Sequence, residues 1–177
     1  MKTTEMSVWR RIGTALCLFL MFGLIACDNE DDNDAELFDG DRFYTDFSAA
    51  NLYGDWDADD DDFLDEDEFT MSFYESWDVD NDGMLEETDW DMAVADFGLV
   101  GADWDAWDVD ADGMLDEDEF RTGFLTYDYY DTWDADNDGL IMDREYADGV
   151  FGIWDDDNDG VLEAADYDIW FNRYYGV

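Results

Sequence analysis

Five times between residues 53 and 171 the chain repeats one arrangement of apolar side chains. Two aromatics three residues apart (Tyr53 and Trp56, Tyr74 and Trp77, Trp104 and Trp107, Tyr130 and Trp133, Phe151 and Trp154) stand immediately before a polar stretch of twelve residues. A second apolar pair, four residues apart, follows each stretch: Phe69 and Phe73, Trp90 and Val94, Phe120 and Phe124, Tyr146 and Val150, Tyr167 and Phe171. Spacings of three and four place both members of a pair on one face of a helix. Each unit therefore predicts a helix, a loop and a helix, with the aromatics turned to a common core, and the expected fold class is all-α.

The polar stretches align without gaps. They read "DADDDDFLDEDE" from 57, "DVDNDGMLEETD" from 78, "DVDADGMLDEDE" from 108, "DADNDGLIMDRE" from 134 and "DDDNDGVLEAAD" from 155. Positions 1, 3 and 5 are aspartate in all five, position 6 is glycine in four, position 8 is Leu or Ile, and position 12 is Asp or Glu. Random acidity, or an acidic face that merely carries solvated charge, would not keep glycine at 6, an aliphatic at 8 and tryptophan just ahead of each loop. In the heptamer "WDADNDG" (133–139), Asn137 and Ala135 are the positions left free by this reading.

This pattern resembles the calcium-binding loop of the EF-hand family, D-x-[DN]-x-[DN]-G-x5-E. The resemblance covers about residues 31–174. A hard cation takes six to eight oxygens, and the family supplies them from carboxylates at 1, 3 and 5, a backbone carbonyl at 7, often a water at 9 and a bidentate acid at 12. It implies as metal ligands Asp57, Asp59, Asp61, Phe63, Asp65 and Glu68 in the first loop, and Asp78, Asp80, Asp82, Met84, Glu86 and Asp89 in the second. The third contributes Asp108, Asp110, Asp112, Met114, Asp116 and Glu119. The fourth contributes Asp134, Asp136, Asp138, Leu140 and Glu145, with Met142 at position 9 leaving room for a water, and the fifth Asp155, Asp157, Asp159, Val161, Glu163 and Asp166. The implied cofactor is Ca2+ at about five sites, with Mg2+ or a lanthanide as the alternatives.

Loop spacing constrains the architecture. Between Glu68 and Asp78, and again between Glu145 and Asp155, nine residues intervene, too few for two helices and a turn. One shared helix of about three turns must serve both neighbours. Loops at 57 and 134, and at 78 and 155, are each 77 residues apart. A duplication with that period places a partner for the loop at 108 at residue 31, where "DDNDAELFDGDR" keeps Asp31 and Asn33 but has Ala35 at position 5 and Arg42 at 12. Phe43 and Phe47 follow it in the places of the other exit-helix aromatics, so it reads as a sixth loop that has lost its metal. The chain is thus expected to be a tandem EF-hand helix-loop-helix array of two duplicated three-hand halves, some adjacent loops sharing one helix. The first half is 31–97 (degenerate loop 31–42, loops 57–68 and 78–89), 98–107 is a hinge with an incoming helix, and 108–177 is the second half (loops 108–119, 134–145 and 155–166).

Composition adds a compartment. Residues 1–26 carry Lys2, Arg10 and Arg11 ahead of "IGTALCLFLMFGLIA", an apolar run shorter than the roughly 20 residues a spanning helix needs. Leu24, Ile25 and Ala26 before Cys27 resemble a bacterial lipobox, which makes 1–26 a lipoprotein signal peptide and Cys27 the lipidation site. Residues 27–36 follow as an acidic tether, and the expected location is the bacterial cell envelope, lipid-anchored. Cleavage leaves Arg42, Arg121, Arg144 and Arg173 as the only basic residues against 52 acids. Such a chain is repelled by nucleic acid and anionic lipid surfaces, and its natural partner is a cation. The mature chain has no His, no Lys and no free Cys, so enzymatic function is not expected.

The expected function is calcium-ion binding in a membrane-anchored envelope lipoprotein, in a structural, buffering or interaction role. Two alternatives stay open. Short interhelical spacing and the extra acid at position 9 look like lanmodulin, a lanthanide-binding family, although the proline that family has at position 2 is replaced here by Ala58, Val79, Val109, Ala135 and Asp156. Asp89 and Asp166 at position 12 are similar to the loop ends of dockerin modules, which implies a protein partner for the metal-loaded form. Asp62 at position 6 of the first loop, where glycine is expected, predicts weaker binding there than in the loop at 108.

Overall fold

A computed structural model of the chain describes residues 38–176, all within one unit that runs Asp34–Val177. The expected signal peptide, Cys27, the tether and the first seven positions of the degenerate loop lie outside the described residues. The described chain is mainly helical, with strands of two residues each. In order it runs β1 (Phe38–Asp39), α1 (Gly40–Ala50), α2 (Tyr53–Trp56), α3 (Glu66–Trp77), β2 (Leu85–Glu86), α4 (Glu87–Asp96) and α5 (Trp104–Trp107). It continues through β3 (Met114–Leu115), α6 (Glu117–Phe124), α7 (Tyr129–Trp133), α8 (Asp143–Trp154), β4 (Val161–Leu162) and α9 (Ala164–Tyr174).

The two short spacings are each spanned by one helix, as their length requires: α3 joins the loops at 57 and 78, and α8 joins those at 134 and 155. Elsewhere the incoming helices α2, α5 and α7 are a single turn. A turn that short gains little from its own hydrogen bonds, so each is held by its buried terminal tryptophan, Trp56, Trp107 or Trp133. The segment between α4 and α5 is anchored by Phe97 and Leu99, both buried in the core.

Pairing between loops follows one rule. Position 8 of one loop meets position 8 of another in an antiparallel bridge, Leu64 with Ile141, Leu85 with Leu115 and, from the degenerate loop, the aromatic Phe38 with Leu162. The order is nested, the degenerate loop with that at 155, the loop at 57 with that at 134, and the loop at 78 with that at 108. Each pair takes one loop from each side of the 77-residue repeat. Leu64 and Ile141 are themselves repeat mates, and their backbones exchange hydrogen bonds of 2.8 and 3.0 Å. Adding 77 to Phe38 and subtracting it from Leu162 gives Leu115 and Leu85, so the outer pairs are equivalent too, in the same register. The molecule has an internal two-fold arrangement with the middle pair on its axis.

The core obeys the same symmetry. Phe43 meets Trp154 edge-on at 5.5 Å and 87°, and its mates Trp77 and Phe120 do so at 5.3 Å and 88°. Phe69 and its mate Tyr146 touch at 5.8 Å, and Phe97 and its mate Tyr174 at 5.0 Å. Even a defect is duplicated: Trp77 and Trp154 each bury an indole N–H without a hydrogen-bond partner. Three of the four arginines of this region tie the halves together across helices, Arg121 of α6 to Asp67 of α3, Arg144 of α8 to Asp41 of α1, and Arg173 of α9 to Asp96 of α4.

Two glycines on outgoing helices are packing positions. A Cβ on Gly123 would stand 2.2 Å from the Trp107 ring, and one on Gly149 2.1 Å from that of Trp133. The indole preceding each of these loops therefore lies flat on the helix that leaves it. Alanine at an exposed helical site is favoured over glycine by about 1 kcal/mol, but here the buried ring cannot yield. Gly123→Ala and Gly149→Ala are expected to destabilise the protein by roughly 1–3 kcal/mol in chemical denaturation, whereas Gly152→Ala on α8, which meets nothing within 4 Å, is neutral or stabilising.

Candidate metal centre

Each loop is built around its first aspartate. One oxygen of Asp57 accepts from the N–H of Asp61 at 3.0 Å and the other from Asp62 at 2.8 Å. The same two bonds recur from Asp82 and Gly83 to Asp78, from Asp112 and Gly113 to Asp108, from Asp138 and Gly139 to Asp134, and from Asp159 and Gly160 to Asp155. Four of these five carboxylates are buried, and the paired N–H donors stabilise the charge there. The position 5 carboxylate in turn accepts from the position 7 N–H in every loop, that of Phe63, Met84, Met114, Leu140 or Val161.

These bonds curl the backbone through two left-handed residues. Position 6 has φ between 88° and 90° at Gly83, Gly113, Gly139 and Gly160, and Asp62 adopts 71° in the first loop. Position 4 is left-handed as well, at 56° to 60°, in Asp60, Asn81, Ala111, Asn137 and Asn158. Asn137 is therefore not a free position: Asn and Asp are the non-glycine residues that tolerate this conformation best, and Ala111 is the one loop residue that adopts it with no such relief.

Acidic oxygens converge in all five loops, within 4.8 Å of one another. The groups are Asp57, Asp59 and Asp61; Asp78, Asp80 and Asp82; Asp108, Asp110 and Glu119; Asp134, Asp136 and Glu145; and Asp155, Asp157 and Asp159. Position 12 divides the loops into two kinds. Glu68, Glu119 and Glu145 reach back and accept from the N–H groups of positions 2 and 9, at 2.8 to 3.3 Å, clasping both ends of their loops. The shorter Asp89 and Asp166 lie outside the converging groups and make no such clasp.

The position 9 acids are also placed outside those groups. Asp65 and Asp116 cap helices α3 and α6, each completing a reciprocal capping box with the glutamate three residues on. Asp39, aligned with position 9 of the degenerate loop, caps α1 by accepting from the N–H of Arg42 at 2.9 Å, without the reciprocal bond of a capping box. Glu86 is held above the ordinary carboxylate range by its hydrogen bond with Asp89, so these two acids of one loop face each other. Glu163 precedes α9 without a capping bond.

Tyrosines four residues ahead of three loops have a role their periodicity does not reveal. Tyr74 donates at 3.0 Å both to the Gly83 carbonyl of its own loop and to the Leu115 carbonyl of the paired one. Tyr53 donates to Ile141 of its partner loop at 2.6 Å, with the Asp62 carbonyl at 3.4 Å, and Tyr130 donates to Gly139 at 2.5 Å. Burial and the surrounding carboxylates push the phenols of Tyr74 and Tyr130 up to about 12, so both remain donors at neutral pH. Trp104 and Phe151 hold the corresponding places elsewhere and have no hydroxyl to offer.

Chemically, five small bowls of hard anionic oxygen line the loops, with no imidazole or thiolate among them, a donor set suited to Ca2+, Mg2+ or a trivalent ion of similar size. Among the described residues no helix is long and apolar enough to cross a membrane. Compared with protein-family models, with curated proteins and with solved structures, the chain matches none.

The position 3 carboxylates of four loops are raised above their ordinary value. For Asp59 the charge on Asp61 is the main cause, and for Asp80, Asp110 and Asp136 partial desolvation comes first, with the neighbouring acids adding to it. A raised folded-state value means that the folded chain holds protons more tightly than the unfolded one. Stability from these groups is complete below the ordinary carboxylate range near pH 4 and is lost as pH rises through the raised values. In chelator, the melting temperature is expected to rise as pH is lowered from 7 towards 4. In millimolar calcium the slope should reverse, because protons then compete with the ion for the same oxygens.

Proposed function

We propose that this protein binds calcium through five EF-hand loops and that it does so as a lipid-anchored protein of the bacterial cell envelope, where the ion has a structural or buffering role. The observation that carries the reading is the convergence of three carboxylates in every loop, those of positions 1, 3 and 5 in three loops and of 1, 3 and 12 in the other two, on a backbone held by the same hydrogen bonds. Aspartates at 1, 3 and 5 and the acid at 12 would hold the ion, which supplies the positive charge that these acids otherwise lack. The loops at 108 and 134 are the strongest candidates, since their converging groups include the position 12 glutamate. Asp62 at φ 71° in the first loop, and the short Asp89 and Asp166, make the remaining three weaker.

Ion binding and folding are one process in this reading. Each bowl holds its carboxylates close enough that their repulsion opposes compaction until a cation enters. Calorimetric titration of the mature chain with calcium, magnesium and lanthanum is the direct test. Calcium is expected to fill about five sites, with dissociation constants of roughly 10⁻⁴ to 10⁻³ M as in other extracellular modules, and to raise the far-ultraviolet helical signal of chelator-treated protein. No heat and no change in helicity at millimolar calcium would overturn the proposal, and a large preference for lanthanum would redirect it to lanthanides.

The anchor has its own test. Metabolic labelling with a radioactive fatty acid is expected to mark the wild-type chain and leave Cys27→Ser unlabelled and soluble. A labelled C27S variant would remove the lipoprotein half of the reading without touching the ion-binding half.

A further inference from the structure

Three of the helix-loop-helix units leave a groove between incoming and outgoing helices, lined at equivalent positions. In the unit at 57 it is bounded by Trp56, Ala58, Ser72 and Glu75, in that at 108 by Trp107, Val109, Gly123 and Thr126, and in that at 134 by Trp133, Ala135, Gly149 and Gly152. The first two enclose about 290 and 320 Å³, the third about 570 Å³. Gly152 stands where the others have Glu75 and Thr126. It lies within α8, where glycine is destabilising relative to alanine, and a Cβ there would touch nothing within 4 Å. Unlike Gly149, it is not demanded by packing, and its effect is to keep the groove open.

What it opens is an aromatic wall. The rings of Tyr127 and Tyr129 stand 6.1 Å apart at 27°, and those of Tyr129 and Trp133 5.8 Å apart at 30°, a near-parallel tier continued by half-buried Ile153. Exposed Asp128 lies on one lip and exposed Asp148, shared with Arg144 at 2.8 Å, on the other. The whole chain carries a formal charge of -46, so any ligand concentrated near this groove is a cation.

We propose that the groove between α7 and α8 binds a small organic cation, an ammonium ion with an apolar or aromatic body. The half-buried rings of Tyr127 and Tyr129 offer aromatic surface to a desolvated ammonium, Ile153 and the glycine surface take the apolar body, and Asp128 is an exposed acid on the lip that supplies counter-charge. A bare metal ion gains nothing from an aromatic wall, and a neutral or anionic aromatic gains nothing from the field. Ala135 and Glu145 of the loop at 134 also line the groove, so the site adjoins that loop's carboxylates, but it does not rest on which metal fills them.

Benzyltrimethylammonium is the probe, titrated into the calcium-loaded mature chain and followed by tryptophan fluorescence and calorimetry. Saturable one-to-one binding is expected, weakened by added salt, while benzyl alcohol and benzoate bind at least about tenfold less tightly. Gly152→Leu, whose Cβ meets nothing within 4 Å and whose longer side chain would occupy the groove, is expected to lower affinity at least about tenfold with calcium stoichiometry unchanged. Asp128→Asn, an exposed change that leaves packing alone, should weaken the probe without altering the melting temperature. Equal binding of benzyl alcohol, or undiminished binding by folded G152L, would overturn the proposal.

Discussion

Like charge sets the terms on which this chain folds. With -46 formal charges on 177 residues and aromatic side chains as nearly one residue in five, every attraction in the core acts against a carboxylate repulsion that reaches across the molecule. The structure meets it locally. Each loop aims backbone N–H groups at its most buried aspartate, and the N-termini of α3 and α6 receive the position 9 acids Asp65 and Asp116. Arginines are too few to balance the total, and three of the four are placed where one charge can join two helices of opposite halves.

Duplication then determines how the aromatics are shared. A helix that serves two loops presents them at opposite ends, so neither can close on the other, and each must find its partner across the repeat. The nested order is the arrangement that satisfies this for all three pairs with one symmetry axis. Positions 77 residues apart, such as Phe69 and Tyr146 or Phe97 and Tyr174, meet each other on or near that axis.

Much of this was legible in the sequence because it depends on local chemistry. Aspartates at 1, 3 and 5, glycine at 6 and the nine-residue gaps each have a short-range physical meaning, and the loops and the shared helices α3 and α8 follow from them. Of the degenerate loop that a 77-residue period suggested, positions 1 to 7 lie outside the described residues, while Phe38 and Asp39 occupy the structural places that period assigned. Partner choice was not legible, since it is decided by which position 8 residues meet at long range. Position 4 was passed over although Asn or Asp fills it four times in five, a signal of left-handed backbone rather than of ligation. Tyr53, Tyr74 and Tyr130 were read for their rings alone, and their hydroxyls matter only once a second loop is in reach. The packing role of Gly123 and Gly149 was not legible either, because nothing in their neighbourhood in sequence announces the tryptophan above them.

The nested pairing also imposes a timetable. Leu85 and Leu115 are near neighbours in the chain and can meet early, Leu64 must wait for Ile141, and Phe38 for Leu162. Contacts that close long loops form slowly and only after shorter ones have reduced the distance. A chain emerging from a ribosome would therefore build outward from its middle and leave strand β1 exposed until β4 had arrived.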